Sequence, residues 1–559
     1  MQLSGPITID TPLPAGVLVF RSMIAREALG QPFLFDLELI SARADLKPAE
    51  LVGQPISVHL ETVNYGVRHF SGLVTRLEYR GTGTSNSLYR IVLRPWLWFL
   101  GQSINSRIFQ GVSALDIIKQ IFLEYREPPS GGGASDSNAP TPSNHKPQRG
   151  IGLLTNFAEA LSETYTPLDY VVQYKETDLE FVTRLMERAG IYYFFRHYAD
   201  KHELVLADSF SAHDKVVGYE SIPYLPPDAH RHAAVEYVDE WRLAGRALPG
   251  IYTHTDFDFT RPGLPLYGRA AAPHPHAAAN LEVYDYPGRF LENTAGDTLA
   301  RLRLEQLQAP YEIALGASIA RGLTTGHVFS LSEHPRGDQN KEHLIVATES
   351  ELRGHDLVSG GDDALTFRCS FEACDAKIPF RLPISTPKPV MRGPQTATVV
   401  GKDGEEIWTD EYGRVKVQFH WDREGDRDEK SSCFIRCAQV WAGDGWGGIH
   451  IPRMGQEVIV DFLEGDPDQP IITGRVYNGD NMPPYTLPDN QTQSGIKSRS
   501  TKGGSEDNFN EIRFEDKKGS EEFFMQAEKN HTVNVKNDQS TKVKVNRSAT
   551  VGGSDSVGV

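Results

Sequence analysis

Four cysteines and two histidine pairs are the side chains of this 559-residue chain whose types and spacing could hold a metal or do redox chemistry. Cys433 and Cys437 flank Ile435 at alternate positions, and Cys369 and Cys374 sit near another strand-like run. Alternation puts Cys433, Ile435 and Cys437 on one strand face, where thiols serve as small core residues. A four-cysteine zinc site is the alternative, and plain core thiols are the favoured reading. His230/His232 and His274/His276 are His-x-His pairs in loop-like segments with no third ligand nearby, which favours solvated rings over a metal site. The glycine-rich run Gly443 to Gly448 is followed by no helix. It lacks the helix N-terminus that phosphate binding needs and reads as a barrel turn. No G-x-S-x-G, H-E-x-x-H or Walker A pattern occurs. No catalytic residue, cofactor or metal is therefore expected.

With chemistry set aside, the last stretch of the chain becomes the organising one. Val535, Val543, Val551 and Val559 recur every eight residues, and two positions ahead of each stand Val533, Thr541, Ala549 and Val557. Between the columns lie Asn, Lys, Asp, Ser and Gly, which suit exposed strand and turn positions. A helix repeats near 3.6 and a coiled coil at seven, so a period of eight with local alternation is β, as in a β-helix or fibre. Ordering eight residues costs roughly 8–16 kcal/mol. Burying two valines returns roughly 3–6 kcal/mol. One chain also leaves strand edges unpaired. The predicted solution is several copies wound together, three making the simplest closed prism. A disordered polar tail is the alternative, which the four in-phase valines argue against. The predicted core of the prism is Val533, Val535, Val543, Val551, Val557 and Val559.

Composition bounds the rest. The formal charge of −17 argues against a phosphate-binding protein. Hydrophobic residues at 39% and charged residues at 23% are those of a globular chain long enough for three or four domains. The stretch from Met1 to Leu13 lacks a basic start and an apolar core, and no run of 18 apolar residues exists. The expectation is synthesis in the cytoplasm and export, if any, by a route other than a signal peptide.

Taken in order, residues 1 to about 100 predict short strands at 17–20, 32–39, 56–60, 70–79 and 89–93, a barrel or compact sandwich. Ser113 and Asp116 predict a helix start, with Leu115, Ile118, Ile121, Phe122 and Tyr125 on one face. Residues 128–150 are Gly, Ser, Pro and Asn, which predicts a mobile loop. Thr177 and Glu180 form a capping-box pattern, Phe181, Leu185 and Met186 face inward, and Gly190 stops the helix. A buried strand is expected at 191–195, then a second β-rich unit over 200–375 with one helix near 298–307. Strands at 396–400, 406–409, 414–421, 432–440, 457–462 and 471–477 predict a small OB-type barrel. Asp480 to Lys518 is polar and turn-rich, a neck leading to the octads.

At this point a family resemblance is specific. Thr409-Asp410-Glu411-Tyr412-Gly413-Arg414-Val415-Lys416-Val417-Gln418-Phe419-His420-Trp421-Asp422, Trp441-Ala442-Gly443, Gly445-Trp446-Gly447, Ile451-Pro452-Arg453 and Phe462-Leu463-Glu464-Gly465-Asp466-Pro467-Asp468 resemble the barrel segment of VgrG proteins, the spikes of bacterial type VI secretion. Gln173 to Asp178, Arg184 to Glu187, Gly190-Ile191, Tyr286-Pro287-Gly288 and His334-Pro335 resemble earlier segments of the same family. The resemblance implies a mainly β chain with a few helices. Its parts would be a tail-hub-like double β-barrel domain (1–385), an OB-fold domain (386–480), a neck (481–529) and the start of an intertwined triple-stranded β-helix (530–559). It implies a homotrimer seated on the Hcp tube hexamer, tipped by a PAAR-repeat protein, in contact with baseplate proteins and carrying effector toxins or their adaptors. Such a spike is non-enzymatic, crosses membranes transiently without a transmembrane segment and is injected into target cells. The phage counterpart carries a lysozyme between barrel and β-helix, and the segment from Asp480 to about Asn530 is too short for one. OB barrels often bind single strands, but the flanking loops mix charges or are acidic, so no nucleic-acid partner is expected. The alternative reading is the tail hub and spike of a phage or related contractile particle.

Overall fold

The computed structural model describes residues 6–63, 66–83, 86–126, 152–226, 235–354 and 365–558. The 128–150 loop, His230, His232 and Val559 lie outside the described residues.

Strict alternation builds the centre of the hub. In Gln31–Ser41, Phe33, Phe35, Leu37 and Leu39 are buried, while Leu34, Asp36 and Glu38 take the other face. This strand pairs with Val19–Ala28 on one side, Leu37 opposite Met23, and with Ser87–Arg94 on the other, Phe35 opposite Leu93. Pro55–Glu61, Val67–Thr82 and the edge strand Ile7–Asp10 extend it. Val19–Ala28 then pairs antiparallel with Glu342–Arg353, which belongs to the second β-rich unit. Among the described residues the two units thus share one sheet of 12 strands, whose far edge is Val238–Gly245.

Two helices pack against each other and share one hydrophobic core with this sheet. Ala114–Arg126 starts where Ser113 Oγ accepts the Asp116 N–H at 3.1 Å. Ile117, Ile118, Ile121 and Phe122 are buried in it, so Ile117 joins the expected face and Leu115 is only partly covered. Asp178–Ala189 has the capping box its sequence announces, and Gly190 ends it at φ 75°, the left-handed conformation glycine adopts without strain. A third helix, Asn293–Gln308, begins five residues before the expected start and packs on the small sheet of Ile251–Asp256, Leu266–Ala271 and Glu282–Asp285.

The OB unit is a five-stranded sheet in the order Lys416–Phe419, Gln395–Val400, Glu457–Phe462, Pro470–Val476, Arg436–Cys437. Its core is Ala397, Val399, Val415, Val417, Phe419, Ile435, Val458, Val460, Phe462 and Ile472. Two expected strands are corrected. Segment 406–409 forms none, because Glu406 turns its carboxylate to Thr501 and the Gly503 N–H, at 2.6 and 2.7 Å. The 432–440 strand shrinks to Arg436–Cys437. The neck is not merely turns. Gln493–Lys497, Glu511–Glu515 and Glu522–Gln526 form an antiparallel three-stranded sheet.

Two buried imidazoles make the hub sensitive to acid. His202 Nε2 accepts the Trp96 N–H at 3.0 Å. His213 donates from Nδ1 to the Gly326 carbonyl (2.7 Å) and accepts the Tyr192 hydroxyl at Nε2 (2.8 Å). Each pattern requires a neutral ring, and burial pushes His202 down to about 3 and His213 down to about 4. The unfolded rings protonate near the ordinary value of 6.5. Their contribution is therefore full above pH 6.5 and is lost as pH falls toward 3–4. At pH 5 the expected loss is about 2 kcal/mol per ring relative to pH 8. Chemical unfolding of the hub followed from pH 8 to pH 5 checks this; a flat profile contradicts it.

Candidate assembly interface

The OB unit is fastened to the hub before either reaches the tail. Its turn at Glu464 and Gly465 is left-handed, φ 55° and 67°. That geometry aims Asp466 at Arg289 Nη2 (2.6 Å) and Lys388 Nζ (2.5 Å), and Asp468 at Lys388 Nζ (2.5 Å) and the Val172 N–H (2.7 Å). Burial alone would raise Asp466, but the Lys388 and Arg289 charges more than offset it and hold its carboxyl below the usual range. Tyr174 packs against Trp421 with ring centroids 5.6 Å apart, and its hydroxyl accepts from Gln395 Nε2 at 3.0 Å. Arg423 reaches Asn105 Oδ1 at 2.8 Å. The motif Glu464 to Asp468 is thus a joint that fixes the OB unit against Val172, Arg289 and Lys388.

In the octads, burial stops. Val533, Val535, Val543, Val551 and Val557 are 43–86% exposed, and no strand follows Gln526 among the described residues. The chain by itself brings these valines to no core. The neck shows the same condition in an ordered element. Ile496 pairs with Ile512 and Ile512 with Met525, while Phe514 pairs with Phe523. Period-two geometry places all five on one face of the three-stranded sheet, and each is 43–62% exposed. Covering what remains exposed is worth about 4–7 kcal/mol per chain. A contiguous apolar face of this kind marks an interface. Sequence reading missed these five. The available signal was the alternation Ile512-x-Phe514 and Phe523-x-Met525, hidden among Glu, Arg and Lys.

The candidate chemical residues resolve differently. Cys369 and Cys374 are buried, and Cys433 and Cys437 are half-buried. Burial pushes Cys374 and Cys433 up to about 12 and Cys437 up to about 11, so these three thiols stay protonated. His274 is not simply solvated. It stacks on Tyr311 with centroids 3.6 Å apart, and His276 donates from Nδ1 to the Ala277 carbonyl at 2.7 Å. No group of three or more His, Cys, Asp or Glu is placed to hold a metal among the described residues.

Comparison with known proteins agrees with this architecture. Residues 26–355 match the phage tail baseplate hub (GPD) family, 395–477 the type VI secretion system/phage-baseplate injector OB domain, and 494–559 the bacteriophage T4 gp5 C-terminal trimerisation domain. The type VI secretion system spike protein VgrG1b of Pseudomonas aeruginosa is 46% identical over 547 residues, covering 98% of this chain and 70% of that one. The chain belongs to the VgrG family of type VI secretion spike proteins. VgrG1a of the same organism is 45% identical over 545 residues, 97% of this chain and 80% of that one. The actin cross-linking toxin VgrG1 of Vibrio cholerae is 32% identical over 93% of this chain but only 45% of its own length. In fold, the chain is similar to an E. coli type VI secretion component that is itself similar to the T4 tail proteins gp27 and gp5. The TM-score is 0.58 at 19% identity, over 84% of this chain and 100% of that one. A solved Francisella PdpA-VgrG complex gives 0.52 at 9% identity, over 91% and 93%.

Proposed function

We propose that three copies of this VgrG-family chain form a spike that punctures a target envelope and carries effectors. In this reading residues 1–385 are the hub, 386–480 the OB domain, 481–529 the neck and 530–559 the start of a triple-stranded β-helix with Val533, Val535, Val543, Val551, Val557 and Val559 in its core. The single observation that carries it is the apolar row from Ile496 to Val557, exposed in one chain and lying in the segment that matches a trimerisation domain. A closed prism of three strands pairs every edge and covers both valine columns. Such a body has no loose strand to peel when pushed end-on through a membrane. No helix among the described residues is long and apolar enough to cross one.

The hub would sit on the Hcp tube hexamer beside baseplate proteins, and the far end would receive a PAAR-repeat tip. Effectors or their adaptors would ride on the spike. The trimer would assemble in the cytoplasm and leave by injection. The role is mechanical and non-enzymatic over these residues. The 45–46% identity to type VI spikes favours this machine over a phage particle. Native mass spectrometry of the purified chain is expected to give a trimer. A monomer at micromolar concentration would overturn the reading.

A further inference from the structure

One apolar feature lies outside the segment matched to trimerisation. Trp441–Ala442 and Gly447–Gly448 form a short hairpin on the OB domain. Val440 is 86%, Trp441 64%, Trp446 56% and Ile449 71% exposed. None of the four belongs to the OB core. The backbone is nevertheless shaped to hold them there. The Trp446 ring stands edge-on to Trp441 with centroids 5.0 Å apart. A Cβ at Gly443 would run into that Trp446 ring, and Gly447 takes φ 139° against the Trp441 carbonyl. Glycine is required at both places to fold the indoles over the turn. A turn serving only to connect strands needs no pair of outward tryptophans, which are a cost to solubility.

We infer that this hairpin docks on a second copy of this chain, carrying the trimer contact from the neck up into the OB domain. The inference rests on the trimeric reading. Its first support is continuity with the matched trimerisation segment. The hairpin leads into His450, whose carbonyl accepts from Arg475, and Arg453 donates to the Arg499 carbonyl at 2.8 Å, two residues beyond the neck strand Gln493–Lys497. Tyr477, at the end of the Arg475 strand, is 64% exposed and lengthens the apolar surface toward the neck. The second support is charge. Each copy carries −17, so close approach is opposed almost everywhere. Residues 439–449 hold a single charge, Asp444, which makes this one place where acidic copies can touch. Tryptophans seated in such contacts dominate binding.

The test uses the full chain. A photo-crosslinking p-benzoylphenylalanine in place of Trp441 is expected to join one copy to another, with the product mapped by mass spectrometry. The double variant Trp441→Ala/Trp446→Ala is expected to dissociate at about tenfold higher protein concentration or more, by native mass spectrometry on dilution, with OB melting near the parent's. A trimer that yields no self-crosslink from position 441, or crosslinks only to another protein, overturns the inference and leaves the trimeric reading intact. A parent chain that is monomeric fails the trimeric reading itself. Should the double variant misfold, the crosslinking arm still decides.

Discussion

A chain lacking residues 530–559 is expected to lose its trimer at concentrations where the full chain keeps it, while hub and OB domain melt as before. The hydrophobic cores of those two units include no residue beyond Ile472. Deletion therefore removes nothing that either unit packs on. What it removes is the octad segment, whose described column valines Val533, Val535, Val543, Val551 and Val557 are 43–86% exposed in one chain. These five valines per copy, a little under half covered on average, stand for about 4–5 kcal/mol of further burial. On the binding scale that is about a thousandfold in apparent dissociation constant per chain. The neck face of Ile496, Ile512, Phe514, Phe523 and Met525 survives the deletion, so weak association is expected to remain. Analytical ultracentrifugation on dilution, with calorimetry of both forms, reads the two parts separately. Equal masses and equal melting would remove the octads from any role in assembly.

Arg107→Ala is expected to cost the hub about 3–5 kcal/mol, the range for a buried ion pair broken on one side. Arg107 is 1% exposed and Asp178 2%. The guanidinium donates to Gln173 Oε1 at 2.7 Å, Glu124 Oε2 at 2.8 Å and Asp178 Oδ1 at 3.1 Å. Asp178 also accepts from Asn105 (3.0 Å), Gln173 (2.8 Å) and Tyr125 (2.8 Å). Burial would lower the Arg107 pKa, but Glu124 and Asp178 more than offset it and raise it. Removing the arginine leaves two carboxylates facing a space without a cation. Asp178 also opens the Asp178–Ala189 helix, and Asn105 holds Arg423 of the OB domain, so the damage reaches the joint. The double variant Arg107→Met/Asp178→Asn is expected to recover part of the loss, since it removes both buried charges. Urea unfolding of the hub measures both. A change below about 1 kcal/mol for Arg107→Ala would show that Asp178's neutral donors suffice.

Several elements were legible because their cause is local. The capping box at Thr177, the left-handed stop at Gly190 and the Ser113 cap each need only neighbours within a few positions. Alternation in Gln31–Ser41 and Lys416–Phe419 announces buried strands because a half-covered sheet imposes a period of two. The segment at 406–409 misled because Glu406 serves Thr501 and Gly503, about a hundred residues on. Nothing near Glu406 in the sequence records that partner.

By itself, then, the sequence determined the local devices, the β character of each unit, the family motifs and the valine period, all set by short-range sterics and periodicity. Tertiary structure decided the rest. It merged the two hub units into one sheet through Val19–Ala28 and Glu342–Arg353, and drew Arg107, Glu124, Gln173 and Asp178 into one buried network. It turned Glu464 to Asp468 into a joint and gathered five scattered apolar residues onto one neck face. Those outcomes depend on which distant strands pair and in what register, and a register is a property of two segments together.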